Sequence, residues 1–245
     1  MSLMNSLLRR ISGHSRSGRT RRRDWRPSLG IQAAQVEVLE NRQLLSALTV
    51  TTAADSGAGS LRAEIAAAHS GDTINFASSV RGTITLSSGE LVVNKSLDFE
   101  GPGVKKLAIS GGGSSRVFEV DAGAQVTLSG LTIENGDGVA GFDLGDPNAS
   151  KGGGILNFGT LTVSNCLVTQ NGDWTVNMGG GIFNAGTLSL SASTVTLNSA
   201  SLGGGIYNDY TGTLFLISSN VSNNRDGIGN DIDNLGTMTV TRSKR

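Results

Sequence analysis

From residue 117 onward, apolar and polar residues alternate in short runs set off by glycine-rich turns. The clearest runs are Thr160-Leu161-Thr162-Val163-Ser164, Thr187-Leu188-Ser189-Leu190-Ser191, Thr213-Leu214-Phe215-Leu216 and Thr237-Met238-Thr239-Val240. A period of two marks a strand with one buried face. Leu161/Val163, Leu188/Leu190, Leu214/Leu216 and Met238/Val240 are therefore predicted to point inward. Each run follows a glycine-rich segment: Gly152-Gly153-Gly154-Ile155-Leu156-Asn157, then Gly179-Gly180-Gly181-Ile182-Phe183-Asn184, then Gly203-Gly204-Gly205-Ile206-Tyr207-Asn208. A decayed copy spans 227–234 and ends at Asn234. A third short strand holds Val168, Val195 or Val221 and ends near Asn171, Asn198 or Asn224. The Asn residues that close the glycine-rich segments lie 27, 24 and 26 residues apart. A period of that size signals a solenoid or a propeller.

Three short strands in about 25 residues suit a triangular coil, whereas a propeller blade needs four strands and about 40 residues. One such coil buries too few apolar side chains to offset the entropy of ordering its backbone. Stacking is therefore obligatory, with each coil pairing its N–H and C=O groups to its neighbours at about 4.8 Å. Residues 125–135 repeat the pattern with a less visible glycine segment, and 81–99 and 106–120 add one or two coils. The expected fold is all-β, a right-handed parallel β-helix of roughly six to seven coils over residues 80–245. Asn157, Asn184, Asn208 and Asn234 recur at one corner and are predicted to form a hydrogen-bonded amide ladder. Asn135, Asn171, Asn198 and Asn224 are candidates for a second. The glycine runs need no ligand: they permit positive φ and close backbone approach at a corner. They lack the Gly-Lys-Ser/Thr of a phosphate-binding loop.

Residues 48–79 read as an N-terminal cap. Leu48, Val50 and Thr52 alternate, and Asp55-Ser56-Gly57-Ala58-Gly59 is turn chemistry. Ser60 then N-caps a short helix with Leu61, Ile65 and Ala68 on one face, which Ser70-Gly71-Asp72 ends before Thr73–Phe76 resume extended structure. Such a cap covers the sheet edge and open core that the first coil would otherwise expose. The stretch resembles the start of many bacterial β-helix proteins, T-x-x-x-D-x-G-x-G-S-L-R-x-A-I followed by G-D-T-I-x-F. Here it is carried by Thr51, Asp55, Gly57, Gly59, Ser60, Leu61, Arg62, Ile65, Gly71, Asp72, Thr73, Ile74 and Phe76, with Glu64 in place of the pattern's Ala. At the other end the last coil shows no cap. Its edge is expected to be covered by a partner, to self-associate end to end, or to continue into a longer array.

Composition agrees with many strands and tight turns. Gly supplies 35 of 245 residues, about twice the usual ~7%, with only 3 Pro. The single Cys166 excludes an internal disulfide framework and a cysteine-based zinc site. Zero net charge conceals two parts. Residues 1–47 hold nine Arg against three acids, a net of +6, and the remainder carries 11 bases and 17 acids, a net of −6.

The arm, residues 1–47, is too polar and basic to build a core and is expected to be disordered. It lacks the apolar run of a secretory signal, and nothing in the chain approaches a membrane span. No aromatic-basic interleaving accompanies its arginines, so no specific nucleic-acid binding is expected. Within it, Leu39-Glu40-Asn41-Arg42-Gln43-Leu44-Leu45 resembles the LEPR-XLL motif found near the N-terminus of many large planctomycete proteins. Leu39, Glu40, Arg42, Leu44 and Leu45 match, and Asn41 replaces the motif's Pro. The resemblance implies export or surface display, with the arm acting as a localisation device.

The coil pattern itself resembles the pectin-lyase-like β-helix superfamily, and within it the GG(A/G)I repeats of polymorphic outer membrane proteins. It covers about two-thirds of the chain, without the membrane β-barrel of an autotransporter. Enzymes of that superfamily cluster carboxylates on an exposed strand face. The outward positions here are instead mostly hydroxyls: Thr127, Ser129, Thr162, Ser164, Ser189, Ser191 and Thr239. Carboxylates collect in insertions before the glycine runs, with Asp137, Asp143, Asp146 and Lys151 in the longest and Asp173 and Trp174 in the next. Arg225 and Asp226 occupy a shorter turn. Insertions at one phase of successive coils should share a flank. Asp137, Asp143, Asp146, Asp173 and Trp174 are accordingly the candidate contacts for a glycan or an ion. No catalytic residue, metal ligand or cofactor is assigned, and Cys166 reads as a small core residue. The sequence thus predicts a secreted or cell-surface scaffold, adhesive or structural, with envelope or extracellular glycans or proteins as partners. The alternative is a carbohydrate-active enzyme or glycan-binding protein.

Overall fold

The computed structural model describes residues 46–138, 147–173, 176, 178–228 and 230–242. The chain divides into two units, Met1–Arg42 and Gln43–Arg245, and every element below belongs to the second. The arm up to residue 45, with the motif residues Leu39, Glu40, Arg42, Leu44 and Leu45, lies outside the described residues.

Strand β1 (Ala47–Val50) and helix α1 (Leu61–Ala67) come first. The first two complete coils are β2, β3 and β4 (Thr73–Phe76, Gly82–Thr85, Leu91–Val93) and β5, β6 and β7 (Leu97–Glu100, Leu107–Ser110, Phe118–Val120). Next come β8, β9 and β10 (Gln125–Ser129, Thr132–Glu134, Ile155–Asn157) and β11, β12 and β13 (Thr160–Ser164, Leu167–Thr169, Ile182–Asn184). The last two are β14, β15 and β16 (Thr187–Ser191, Thr194–Thr196, Ile206–Asn208) and β17, β18 and β19 (Thr213–Ile217, Asn220–Val221, Ile232–Asn234). Strand β20 (Thr237–Thr241) begins a further turn. Strands of like position stack into three parallel sheets: eight strands from β1 to β20 in the first, six from β3 to β18 in the second, and six from β4 to β19 in the third. This is the parallel β-helix predicted, with three strands per coil.

The register explains the alternation. Leu97, Val126, Leu161, Leu188 and Leu214 form one inward column of the first sheet, and Phe99, Leu128, Val163, Leu190 and Leu216 form the next. All are buried in one continuous core. Met238 and Val240 continue these columns on β20 but are 41% and 53% exposed. Their predicted burial is not observed, because no described coil lies over them.

Polar groups inside the stack are satisfied along its axis. In the third sheet an inward column runs Val93, Val120, Asn157, Asn184, Asn208 and Asn234. Each amide Nδ2 donates to the Oδ1 of the next coil: Asn157 to Asn184 (2.6 Å), Asn184 to Asn208 (2.7 Å) and Asn208 to Asn234 (2.6 Å). At the lower end, Asn157 Oδ1 accepts from Gly159 N–H (3.1 Å), so nothing polar is left facing Val120. The second ladder links Asn171 to Asn198 (2.9 Å) and Asn198 to Asn224 (2.8 Å). Asp231 closes it, its Oδ1 accepting from both Asn224 N–H (2.6 Å) and Asn224 Nδ2 (3.0 Å). Asn135 is not a member. The sheet register sets it level with Gln170, and it is the Gly136 N–H that reaches Asn171 Oδ1 (2.8 Å).

A third ladder stands at the remaining corner. Cys166 lies just before β12 rather than within a strand, and its N–H donates to Ser193 Oγ (3.1 Å), while Ser193 N–H donates to Ser219 Oγ (3.1 Å). The glycine runs mark a corner where backbones touch. Gly179 has φ +70°, and a Cβ on Gly180 would lie 2.2 Å from Ser199 O and 2.6 Å from Gly204 O.

The cap is as read. Ser60 Oγ accepts from Ala63 N–H (3.2 Å), and Leu61 and Ile65 are buried. Lys95 Nζ donates to Ala68 O (2.9 Å) at the far end of α1, where carbonyls have no helical partner. Arg62 pairs with Asp55 (2.8 Å) and donates to Gly89 O (2.6 Å) and Glu90 O (2.8 Å), which fastens the cap to the first coil. Burial opposes the charge on Asp55, yet hydrogen bonds from Ser88 and Arg62 outweigh it and hold the carboxyl at about 2.

Replacing Asn184 by Ala removes the middle of the amide ladder and strands a donor on Asn157 and an acceptor on Asn208. Each buried unsatisfied group costs about 1–3 kcal/mol, so the loss should be about 2–6 kcal/mol. Asn234→Ala, at the exposed end, should cost under about 1 kcal/mol. Urea unfolding of both variants checks the contrast.

Candidate functional site

The chemistry among the described residues gathers where the repeat is least regular. The Val117 and Phe118 N–H groups both donate to Gly154 O, which puts Arg116 at the phase that glycine holds in later coils. Its side chain is fully buried. Nε donates to Lys151 O (3.1 Å) and Gly152 O (3.0 Å), and Nη2 to Asn148 O (2.8 Å) and Lys151 O (2.9 Å). Nη1 meets the carboxylates of Glu90 and Glu119, the latter at 3.2 Å. A guanidinium is a rigid fork of five donors, and this one closes the end of the longest insertion while holding two acids from adjoining coils.

Glu90 and Glu119 both turn their carboxylates to Arg116 Nη1. Burial, followed by repulsion from Glu90, raises the Glu119 carboxyl to about 7, even though Arg116 draws it down. Two acids this close keep one proton between them. Beside them opens a groove of about 700 Å³ lined by Ser87, Ser88, Glu90, Ser114, Ser115, Arg116 and Gly138.

The predicted flank is partly on view. Asp137 N–H donates to Ser115 O (3.1 Å), so Asp137 stands at the rim of this groove. Gly172 N–H donates to Gly136 O (2.6 Å), which brings Asp173 to the same corner one coil on. Asp143, Asp146 and Trp174 lie outside the described residues. Lys151 is 5.2 Å from the centre of the Phe183 ring and donates to Asn148 Oδ1 (3.3 Å). Asp226 spends its carboxylate on the N–H groups of Gly203 (3.2 Å), Ile228 (2.9 Å) and Asn230 (2.6 Å). Cys166 is buried, and its thiol is pushed up to about 11 by that burial, which leaves it protonated and unreactive. Among the described residues no group of three or more His, Cys, Asp and Glu is placed to hold a metal ion.

A protonated acid beside a carboxylate is the pairing that glycoside hydrolysis uses, but with about 5–5.5 Å or more between the two so that they flank the sugar. Glu90 and Glu119 grip the same nitrogen. As placed, they act as a clamp rather than a catalytic pair. Sequence reasoning passed over Arg116, Glu90 and Glu119. The available signal was positional: an arginine immediately precedes the Val117–Val120 strand pattern, at a phase that is glycine in the next three coils.

A carboxyl raised from 4.5 to about 7 keeps a proton in the folded chain that the unfolded chain releases. The sign follows: the stabilisation is whole below pH 4.5 and lost as pH rises through 7. Glu119→Gln should therefore flatten the fall in melting temperature between pH 4.5 and 7 and melt at or above the parent at pH 8. A steeper fall in the variant would contradict this assignment. No family model, curated protein or solved structure significantly matches the chain.

Proposed function

We propose that the chain is a secreted or cell-surface β-helix scaffold, an adhesive or structural module that acts without catalysis. One observation carries the reading. Glu90 and Glu119 at the groove are committed to Arg116, and Asp226, several coils farther along the stack, is committed to three backbone N–H groups. The first sheet meanwhile turns hydroxyls outward from coil to coil, Thr127, Thr162 and Ser189 in one column and Ser129, Ser164 and Ser191 in another. Such a surface offers many weak polar contacts.

The resemblance of Leu39, Glu40, Arg42, Leu44 and Leu45 to the LEPR-XLL motif supports export. The GGGI segments support kinship with polymorphic outer membrane proteins and the wider pectin-lyase-like superfamily. No helix among the described residues is long and apolar enough to cross a membrane. The alternative, a carbohydrate-active enzyme, draws on the raised Glu119 carboxyl, and the commitment of both acids to one Arg116 nitrogen weighs against it.

Protease treatment of intact host cells tests display: the tagged full chain should be cleaved, and the variant lacking residues 1–47 should be retained inside. Recovery of the full chain in the cytosol would overturn the reading. Reducing-sugar release on a panel of polysaccharides should stay at background, and turnover on any of them would favour the enzyme.

A further inference from the structure

Residues 148–152, which close the longest insertion, are fastened toward the first coils through one side chain. Arg116 is fully buried, and its Nε and Nη2 donate to the carbonyls of Asn148, Lys151 and Gly152. Its remaining nitrogen, Nη1, holds the carboxylates of Glu90 and Glu119, which come from coils one step apart. Three carbonyl oxygens and two carboxylates thus converge on one guanidinium, which carries a single positive charge. With both acids ionised, the cluster has a net negative charge beside the negative ends of three peptide dipoles. Water is largely excluded there, so that excess is poorly screened.

The neighbouring charges do not offset it. Asp121, just past the end of β7, adds to the repulsion on Glu119. Within the sheet Glu119 is flanked by Val92 and Leu156. The Lys151 ammonium lies 5.2 Å from the centre of the Phe183 ring and donates to Asn148 Oδ1 (3.3 Å). Arg62, whose Nη1 donates to Glu90 O, pairs with Asp55 (2.8 Å). A proton on one of the two acids restores the balance of one cation to one anion. Burial, and then Glu90, raise the Glu119 carboxyl from 4.5 to about 7, so the balance changes near neutral pH.

We propose that Glu90, Arg116 and Glu119 form a pH-sensitive latch, which holds residues 148–152 in mild acid and releases them above neutral pH with the coils still stacked. The segment lies outside the three sheets and meets the next insertion through the isolated bridge of Lys151 to Met178. Lifting it off Arg116 lets water reach the carbonyls and both acids while the sheet pairing stays whole, the mark of a local opening. The closed form keeps a proton that the open form gives up. Closure is therefore favoured most below pH 4.5 and weakens as pH rises through 7. Arg116 also lines the groove of about 700 Å³, so release remakes a wall of that groove. The latch belongs to the fold and stands whether or not the chain is displayed at a surface.

Hydrogen–deuterium exchange on the full chain at pH 5 and pH 8, with labelling times scaled for the intrinsic effect of pH, reads the latch at two amides. The Lys151 and Gly152 N–H groups donate to Asn148 O (3.0 Å) and Met178 O (2.9 Å). Their protection should fall roughly 30- to 100-fold from pH 5 to pH 8. Low urea should not change their exchange, and β14 should stay protected throughout. In Glu119→Gln the protection should no longer vary with pH. In Glu90→Gln the fall should move to lower pH, because one carboxylate then has Arg116 to itself. Equal pH dependence in the parent and Glu119→Gln would overturn the proposal. So would exchange that tracks β14 and accelerates with urea, since the segment would then open only with the whole fold.

Discussion

Every coil of this protein depends on its neighbours for its backbone hydrogen bonds. A strand of three to five residues has no partner within its own turn, so its N–H and C=O groups are satisfied only by strands one coil above and below. That requirement keeps the stack in register. Register in turn places like residues over like, and the side chains exploit it. Leucines and valines continue as apolar columns, while amides, hydroxyls and a thiol continue as ladders at the three corners. A buried polar residue in one coil obliges the next to answer it, and so the Asn column, once it replaces Val120, persists to the exposed end.

The repeating features were readable because they are local and periodic. Alternation in Thr160–Ser164 and its successors specified which side chains face the core, and the spacing of Asn157, Asn184 and Asn208 specified a ladder. What escaped was set by departures from the period. Asn135 looks like a ladder residue by its context, but the register of β9 on β12 sets it one residue short of the ladder position, which falls on Gly136. Cys166, Ser193 and Ser219 share no residue type along their whole column, so identity alone does not reveal a function common to all three: accepting a backbone N–H from the coil before. Met238 and Val240 have the right pattern, but among the described residues no coil covers them, which no local pattern encodes.

The same contrast separates scaffold from chemistry. Middle coils with two-residue corners are nearly uniform and turn hydroxyls to solvent. The first coils and the insertions break the pattern, and there the charges collect: Arg116 clamping Glu90 and Glu119, and Asp137 and Asp173 at a shared corner. A solenoid binds along its length because register repeats its surface, and it gains selectivity where loops interrupt that repetition. The candidate flank was legible as a phase, since insertions recur before the glycine runs, but its partners across coils follow from the fold alone.

Stacking in register can be read directly as a distance. Asp98 and Thr239 are far apart in sequence yet belong to one outward column, five coil steps apart through Thr127, Thr162, Ser189 and Phe215. Spin labels on cysteines at these two positions, with Cys166→Ser to match Ser193, should give a narrow pulsed-dipolar distribution near about 24 Å, at about 4.8 Å per coil. A broad distribution, or one centred well beyond that length, would contradict the stacked-coil architecture.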